Sequence, residues 1–401
     1  MIKLEDYEKS VGIETIEELL LIAEKLKDLK VLHINSTKEG GGVAEILSRL
    51  VPLMNSVGIK THWEVFKGSE KFFRFTKKLH NMLHIKGFST IESHEVSTYL
   101  KETYENLNRI NTQDYDVVFV HDPQPMGMII NKQNHQKWIW RCHIDTSTPD
   151  PKAWDFIELF INSYDAAIFH IPEFVYHNLK IPAYIIPPSI DPLHPKNLDL
   201  DQEFVLQTVQ KFGVDIGKPL LLQVSRFDRL KDPMGVYEAY KIVKSKDDCQ
   251  LVLVGAYASD DPEGYEVYKE LINATSGDKD VFVLNLPSDS HLEINSFQRF
   301  ATVVFQKSIR EGFGLVVTEA MWKKKPVIGG NVGGIKRQIL NGITGFLVNS
   351  LEGAAYRARQ ILADRELREK MGFYARERVK HRFLITRHLK DYLTLIRSLN
   401  L

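Results

Sequence analysis

Residues 308–319 read Ser-Ile-Arg-Glu-Gly-Phe-Gly-Leu-Val-Val-Thr-Glu and follow the short apolar run Val303–Gln306. The run predicts a buried strand, and the Gly-Phe-Gly turn predicts the opening of a short helix. Glu311 then stands just before the helix N-terminus, and Glu319, eight residues on, lies about a turn and a half inside it. Free backbone N–H groups at such a turn face an anion. Two carboxylates so placed offer a polyhydroxylated ligand two points of attachment.

Outward from this segment the same strand, loop and helix step recurs. A helical pattern over residues 14–29 precedes the strand Val31–Ile34; the Gly40-Gly41-Gly42 loop follows, then a helix with Val43, Ile46, Leu47, Leu50 and Leu53 on its apolar side. Further strands are expected at 117–120, 138–141, 166–169 and 184–186, and a second series at 220–224, 251–254, 281–284, 303–306 and 326–328. Strands alternating with helices predict an α/β fold with parallel sheets covered on both faces. Pro187-Pro188-Ser189-Ile190-Asp191-Pro192 breaks the pattern and reads as a linker and a candidate hinge. The expected domains are 1–190 and 191–382, both Rossmann-like and doubly wound and facing across a cleft, with a helix over 383–401 packing back on the first.

Bulk composition agrees with this organisation and narrows the partners. A length of 401 residues exceeds one ordinary core. Lys+Arg and Asp+Glu are both 52, so there is no charge-based case for nucleic acid or an anionic membrane. Two distant cysteines, no signal-like N-terminus and no span of roughly 20 apolar residues predict a cytoplasmic protein. The charge-dense helices suit a thermophile.

The candidate chemistry falls just after predicted strands, where open parallel sheets bind ligands. His121-Asp122-Pro123-Gln124 follows one strand, Cys142-His143-Ile144-Asp145 another, and Ser225-Arg226-Phe227-Asp228, with Lys231, a third. Arg226 and Lys231 suit a diphosphate, one as a fork and the other as a point charge; solvated surface is the plainer alternative. Neutral His143 both donates and accepts, which suits a sugar hydroxyl, although a lone histidine is commonly structural; Asp145 is a nearby acid. His33 and His170 read as packing residues. Gly41 and Gly42 bring backbone near a phosphate or sugar or form a plain tight turn; the loop is neither a Walker loop nor G-x-G-x-x-G. Asp114-Tyr115-Asp116 has the D-x-D form of some metal sites but precedes its strand, so no metal is expected there or in any zinc pattern. Glu311 and Glu319 also fit two surface acids, or a hydrolytic pair, whose carboxylates stand about 5–10 Å apart. The neighbouring anion site and the two cations weigh against hydrolysis.

Taken together these blocks resemble the retaining glycosyltransferases of family 4, which have the GT-B fold. Glu311 and Glu319 match the E-x7-E motif, and Ser225-Arg226 with Lys231 match the phosphate clamp. Gly40–Glu45, His121–Pro125, Trp140–Asp145 and Pro187–Pro192 are similar to the trehalose-forming synthases and trehalose phosphorylases of that family. The resemblance implies that Glu319 holds the ribose, Arg226 and Lys231 the diphosphate, and Glu311 with the backbone of Gly312, Phe313, Gly314 and Leu315 the donor glucose. His143 would contact that glucose, Asp122, Gln124 and Asp145 would line the acceptor side, and Gly41 and Gly42 would close over the phosphates. It implies an NDP-glucose (UDP, ADP or GDP) as co-substrate, no required cofactor or metal, small sugars as partners and a retaining reaction without a protein nucleophile. The expected reaction is reversible formation of α,α-trehalose from the donor and free glucose. A phosphorylase using phosphate is the near alternative, and an epimerase or non-catalytic sensor the distant one; a homodimer is compatible with either. Relatives tend to have glycine where this chain has Lys324, so lysine costs on the order of 1 kcal/mol if that turn is left-handed.

Overall fold

In the computed structural model, which describes residues 2–39, 41–84, 87, 90–256 and 262–399, the apolar runs build two six-stranded parallel sheets. The first contains β1 (Lys30–Asn35), β2 (Lys60–Val65), β3 (Val117–His121), β4 (Lys137–Arg141), β5 (Ala166–Phe169) and β6 (Ala183–Ile185). The second contains β7 (Leu220–Val224), β8 (Gln250–Gly255), β9 (Val281–Asn285), β10 (Val303–Gln306), β11 (Val327–Gly330) and β12 (Gly345–Val348). Every residue of β3, β5, β7 and β10 is buried. That is why these strands read as unbroken apolar runs, without the alternation of a half-exposed sheet. The chain divides into two compact units, Met1–Ser189 with Ile385–Leu401, and Ile190–Leu384.

In the first unit the strand order is β2-β1-β3-β4-β5-β6. Trp138 and Trp140 of β4 pack with Phe66, Phe72, Tyr99 and Phe156 on one face. On the other face lies the C-terminal helix Ile385–Ser398, whose Tyr392 ring stacks 4.8 Å from Phe119. In the second unit the order is β12-β11-β10-β7-β8-β9. Each order reverses direction once, between β1 and β3 and between β7 and β10. The loops at the carboxyl ends of those strands open apart there, which makes them the ligand-binding loops of such a sheet.

Two strands escape the sequence reading. β2 lies at a sheet edge with alternating exposure, and β12 is four residues long and opens on Gly345. The first long helix is also shorter than its apolar pattern, running Ile13–Glu24 before Asp28 turns the chain with φ +67°.

Lys324 adopts φ +59°. The turn is left-handed, and its carbonyl lies where a Cβ on Gly372 would come within 2.2 Å, so the turn is wedged against the helix Arg365–Arg382. Relief of this conformation should make Lys324→Gly more stable by about 1 kcal/mol, read as a higher urea midpoint with unchanged slope. An equal or lower midpoint would mean the lysine carries no strain there.

Candidate functional site

In the second unit, β7 and β10 are neighbours, with Phe305 opposite Gln223. That adjacency joins the loop holding Arg226 and Lys231 to the loop holding Glu311. Ile309 N donates to Leu230 O at 2.8 Å, Gln223 Nε2 donates to Lys231 O at 2.8 Å, and Lys307 pairs with Asp232. Lys231 Nζ is 2.6 Å from Glu311 Oε2, and Gln306 Nε2 and Ser308 Oγ each donate to the same oxygen at 3.3 Å. Arg226 is on the same loop but its side chain is 70% exposed, with a weak 3.4 Å contact to Asp228. It is therefore available to a ligand.

Gly314, at φ +82°, turns the chain into the helix Leu315–Trp322, so the backbone N–H groups of the turn lie beside Glu311. A second glycine pair, which sequence reasoning missed, shapes this loop from below. A Cβ on Gly333 would stand 1.6 Å from Glu311 O, and one on Gly334 2.6 Å from Phe313 Cα. Gln338 Nε2 donates to Phe313 O at 2.5 Å and also pairs with Thr318. The close approach explains two adjacent glycines, a signal present in Gly333-Gly334 but unreadable without the partner loop.

Glu319 is turned elsewhere. Only 2% exposed, it receives Lys196 Nζ at 3.3 Å and Gln298 Nε2 at 3.2 Å, and Lys323 Nζ donates to its backbone oxygen. Burial opposes its charge, but Lys196, Lys323 and the Gln298 amide hold its carboxyl below the ordinary value. Lys196 and Gln298 lie 123 and 21 residues away, so spacing did not reveal them.

The first unit gathers a different set. Asp122, at φ +64°, accepts the backbone N–H of His143 through Oδ1 at 2.7 Å. Burial pushes its carboxyl up to about 7, opposed by that N–H and by Arg141. The Oε1 of Gln124 is buried with no hydrogen-bond partner among the described residues. Asp145 Oδ1 instead accepts from Ser147 N and Oγ. Gly41 and Gly42 are exposed and open the helix Gly41–Ser56, with Gly41 at φ +78°; Gly40 lies outside the described residues. Asp116 accepts the N–H of Lys30 at 2.8 Å and Asp114 that of the Asn111 amide at 2.6 Å, so both acids of the D-x-D stretch serve the strand start. Among the described residues no three His, Cys, Asp or Glu are grouped to hold a metal ion.

His143 does not stand alone. His33 Nδ1 is 3.0 Å from His121 Nε2, His121 Nδ1 is 3.0 Å from His143 Nε2, and His143 Nδ1 is 3.2 Å from His170 Nε2. His33 and His170, read from the sequence as packing residues, are thus the ends of a row that fixes the His143 ring.

Because its folded value lies above the ordinary 3.8, Asp122 costs little stability near pH 4 and progressively more as pH rises through about 7. Asp122→Asn keeps an acceptor for His143 and tolerates the positive φ. Its urea stability should match the parent near pH 4 and exceed it by about 2–4 kcal/mol at pH 8. A gap that does not grow with pH would place the ionised form in a more polar setting.

Paired parallel-sheet units with polar residues on their switch-point loops are the architecture of GT-B glycosyltransferases, and the chain is an enzyme of that class. Residues 207–378 match the family Glycosyl transferases group 1. Sucrose-phosphate synthase from Thermosynechococcus elongatus has the same fold, with a TM-score of 0.72 over 92% of this chain and 99% of that one, at 18% identity. Residues 33–176 match the family Trehalose synthase, N-terminal domain. Trehalose synthase from Pyrococcus horikoshii is 46% identical over 99% of this chain and 96% of its own length. The chain belongs to the trehalose synthase family. Trehalose phosphorylase from Pleurotus pulmonarius is more distant, 26% identical over 94% of this chain and 58% of its own.

Proposed function

We propose that the protein is a retaining glucosyltransferase that moves α-glucose from UDP-, ADP- or GDP-glucose to the anomeric hydroxyl of free glucose, reversibly forming α,α-trehalose. The observation that carries this reading is the Lys231–Glu311 pair, 2.6 Å apart beside the Gly314 turn, with exposed Arg226 on the same loop. A nucleoside diphosphate seated there meets two cations and the free N–H groups of a helix start. Glu311 and the backbone of Gly312–Leu315 orient the glucose, and Glu319 the ribose. We assign the acceptor sugar to Asp122, Gln124 and Asp145, and a phosphate-contacting role to Gly41 and Gly42. The orphan Gln124 Oε1 is an acceptor suited to a sugar hydroxyl. His143 contributes a ring immobilised by His121 and His170.

In the reaction the bond from glucose C1 to the phosphate oxygen breaks, and a bond from C1 to the incoming hydroxyl oxygen forms on the same face. The hydroxyl proton passes to the departing phosphate oxygen. Negative charge builds on the diphosphate as it leaves, and Arg226, Lys231 and the helix N-terminus stabilise it as it forms. No residue need act as nucleophile and no metal is required.

The test is incubation with glucose and each of UDP-, ADP- and GDP-glucose, followed by NMR of the products. Trehalose with one equivalent of free nucleoside diphosphate supports the proposal. Turnover only with trehalose and inorganic phosphate would make the protein a phosphorylase, and no turnover in either mixture would reject both.

A further inference from the structure

The strands β7 and β10 are buried throughout, yet each carries one glutamine near its carboxyl end, Gln223 and Gln306. Both side chains are almost fully buried, and the Oε1 of each has no hydrogen-bond partner among the described residues. An apolar residue would fill either place without that cost. What the fold uses is the nitrogen end of each amide. Gln223 Nε2 holds the Lys231 carbonyl, and Gln306 Nε2 donates to Ser308 Oγ at 3.0 Å and to Glu311 Oε2 at 3.3 Å.

The neighbours of Gln306 fix which way its amide faces. Turned over, it would set Oε1 against a carboxylate oxygen and bury its N–H groups where Oε1 now finds no partner. As it stands, only one acceptor is orphaned, and the NH2 has a proton for each of its two contacts. Ser308 Oγ, accepting from Gln306, turns its own proton to Glu311 Oε2 at 3.3 Å. Lys231 Nζ reaches the same oxygen at 2.6 Å. Three donors thus converge on Oε2, while Oε1, which receives none among the described residues, stays open to solvent. Gly314 completes the fit: a Cβ there would stand 3.2 Å from Glu311 Cγ, so its absence lets Glu311 fold back over its own turn. Of the three N–H groups of Lys231, one is on Glu311, which leaves two for a diphosphate. The two neutral donors keep their hold on Oε2 when the ammonium is shared in that way.

We propose that Gln306 is a positioning residue for Glu311: its buried amide, with the Ser308 hydroxyl, pins Oε2 beside Lys231 and presents Oε1 to the transferred sugar. Without these donors the carboxylate is free to turn about its last bond, where torsional preference is weak. Both oxygens then lean on Lys231 in turn, and neither is held toward a sugar hydroxyl. Gln306 itself touches no substrate and acts only through Glu311. The role toward the sugar rests on the proposed transfer reaction; the pinning of Oε2 does not.

The test pairs crystal structures with a double-mutant cycle. The unliganded full-length protein should show Glu311 in a single position, with Oε2 on Lys231, Gln306 and Ser308. In Gln306→Met, which keeps the length and the burial, the carboxylate should turn or occupy more than one position. An unmoved Glu311 in that variant overturns the proposal whether or not any sugar nucleotide is transferred. With glucose and the NDP-glucose that is turned over, Gln306→Met should lower kcat/KM for the donor about tenfold or more, because a bond to a charged group is lost. Inhibition by the nucleoside diphosphate alone, which lacks the sugar, should stay within about twofold, and the same substitution added to Glu311→Ala should cost no more than that. A loss that persists in Glu311→Ala, or that falls equally on the nucleoside diphosphate, would make Gln306 merely structural. A turned carboxylate with unchanged kcat/KM would overturn the role toward the sugar. Should Gln306→Met fail to fold, Ser308→Ala is read in both arms, and an unmoved Glu311 with no loss of rate is the negative result. If the parent transfers glucose from none of the donors, the transfer reading fails, and the crystal comparison still decides the pinning.

Discussion

Lys231→Ala is expected to lower kcat for glucosyl transfer by about 10²–10³-fold while the protein remains folded. Lys231 bridges the two loops of the β7–β10 switch point, with its ammonium 2.6 Å from Glu311 and its side chain 19% exposed. In the proposed transfer a cation so placed would counter charge that appears on the leaving diphosphate only as the glycosidic bond breaks, so the loss is expected in kcat more than in KM. Glu311 keeps Gln306 and Ser308 as donors and is partly open to water, which limits the stability cost to about 1–2 kcal/mol. Arg226→Ala should also slow transfer but leave stability within about 0.5 kcal/mol, because that side chain is mostly in water. Initial rates at saturating donor and acceptor, beside urea unfolding of the same samples, separate the two effects. A Lys231→Ala enzyme within tenfold of the parent would remove this residue from the leaving-group site.

Glu319→Ala is expected to have the opposite balance, with a large loss of stability. Its carboxylate is buried and receives Lys196 and Gln298, and Lys323 lies on the same helix turn. Deleting the acid leaves cations with less compensation in a poorly solvated place. Breaking a buried pair costs about 3–5 kcal/mol, and the 18% exposure of Lys196 favours the lower end. Because the folded carboxyl lies below its ordinary value, this contribution is present above the ordinary carboxylate range and is lost as pH falls through the folded value. The difference between parent and Glu319→Ala should accordingly be largest near neutrality and shrink in acid. A difference of less than about 1 kcal/mol at pH 7 would show that the acid is not what neutralises Lys196. Glu319→Gln, which keeps the shape, separates a ribose contact from the stability effect through the donor KM.

Much of this protein is legible in short stretches. Buried parallel strands are continuous apolar runs, so ten of the strands announce themselves, whereas edge strand β2 and four-residue β12 carry too little pattern. The Gly-Phe-Gly turn also reads locally, since a glycine at φ +82° before an apolar helix is a matter of backbone sterics. Lys324 stood out only by resemblance, as a lysine where relatives tend to have glycine, and its φ of +59° shows that the turn is left-handed.

The partners of those residues were not legible, because they depend on strand order. Glu311 reads from the sequence as one of a pair with Glu319, but in the folded unit its nearest charge is Lys231, 80 residues away, brought there by β7 lying beside β10. Lys196 and Gln298 beneath Glu319, and Gly333-Gly334 beneath Glu311, are likewise contacts made by tertiary packing. The histidine row makes the same point. Its members stand 88, 22 and 27 residues apart and meet only because β1, β3, β4 and β5 are neighbours in that order. The sequence by itself determined the elements, their parallel arrangement and the loops that carry chemistry, because propensity, periodicity and turn sterics act over a few residues. Which charges pair, which acid is buried and which rings touch were decided only in the tertiary structure, where hydrogen bonds and ion pairs form between groups that the chain itself keeps far apart.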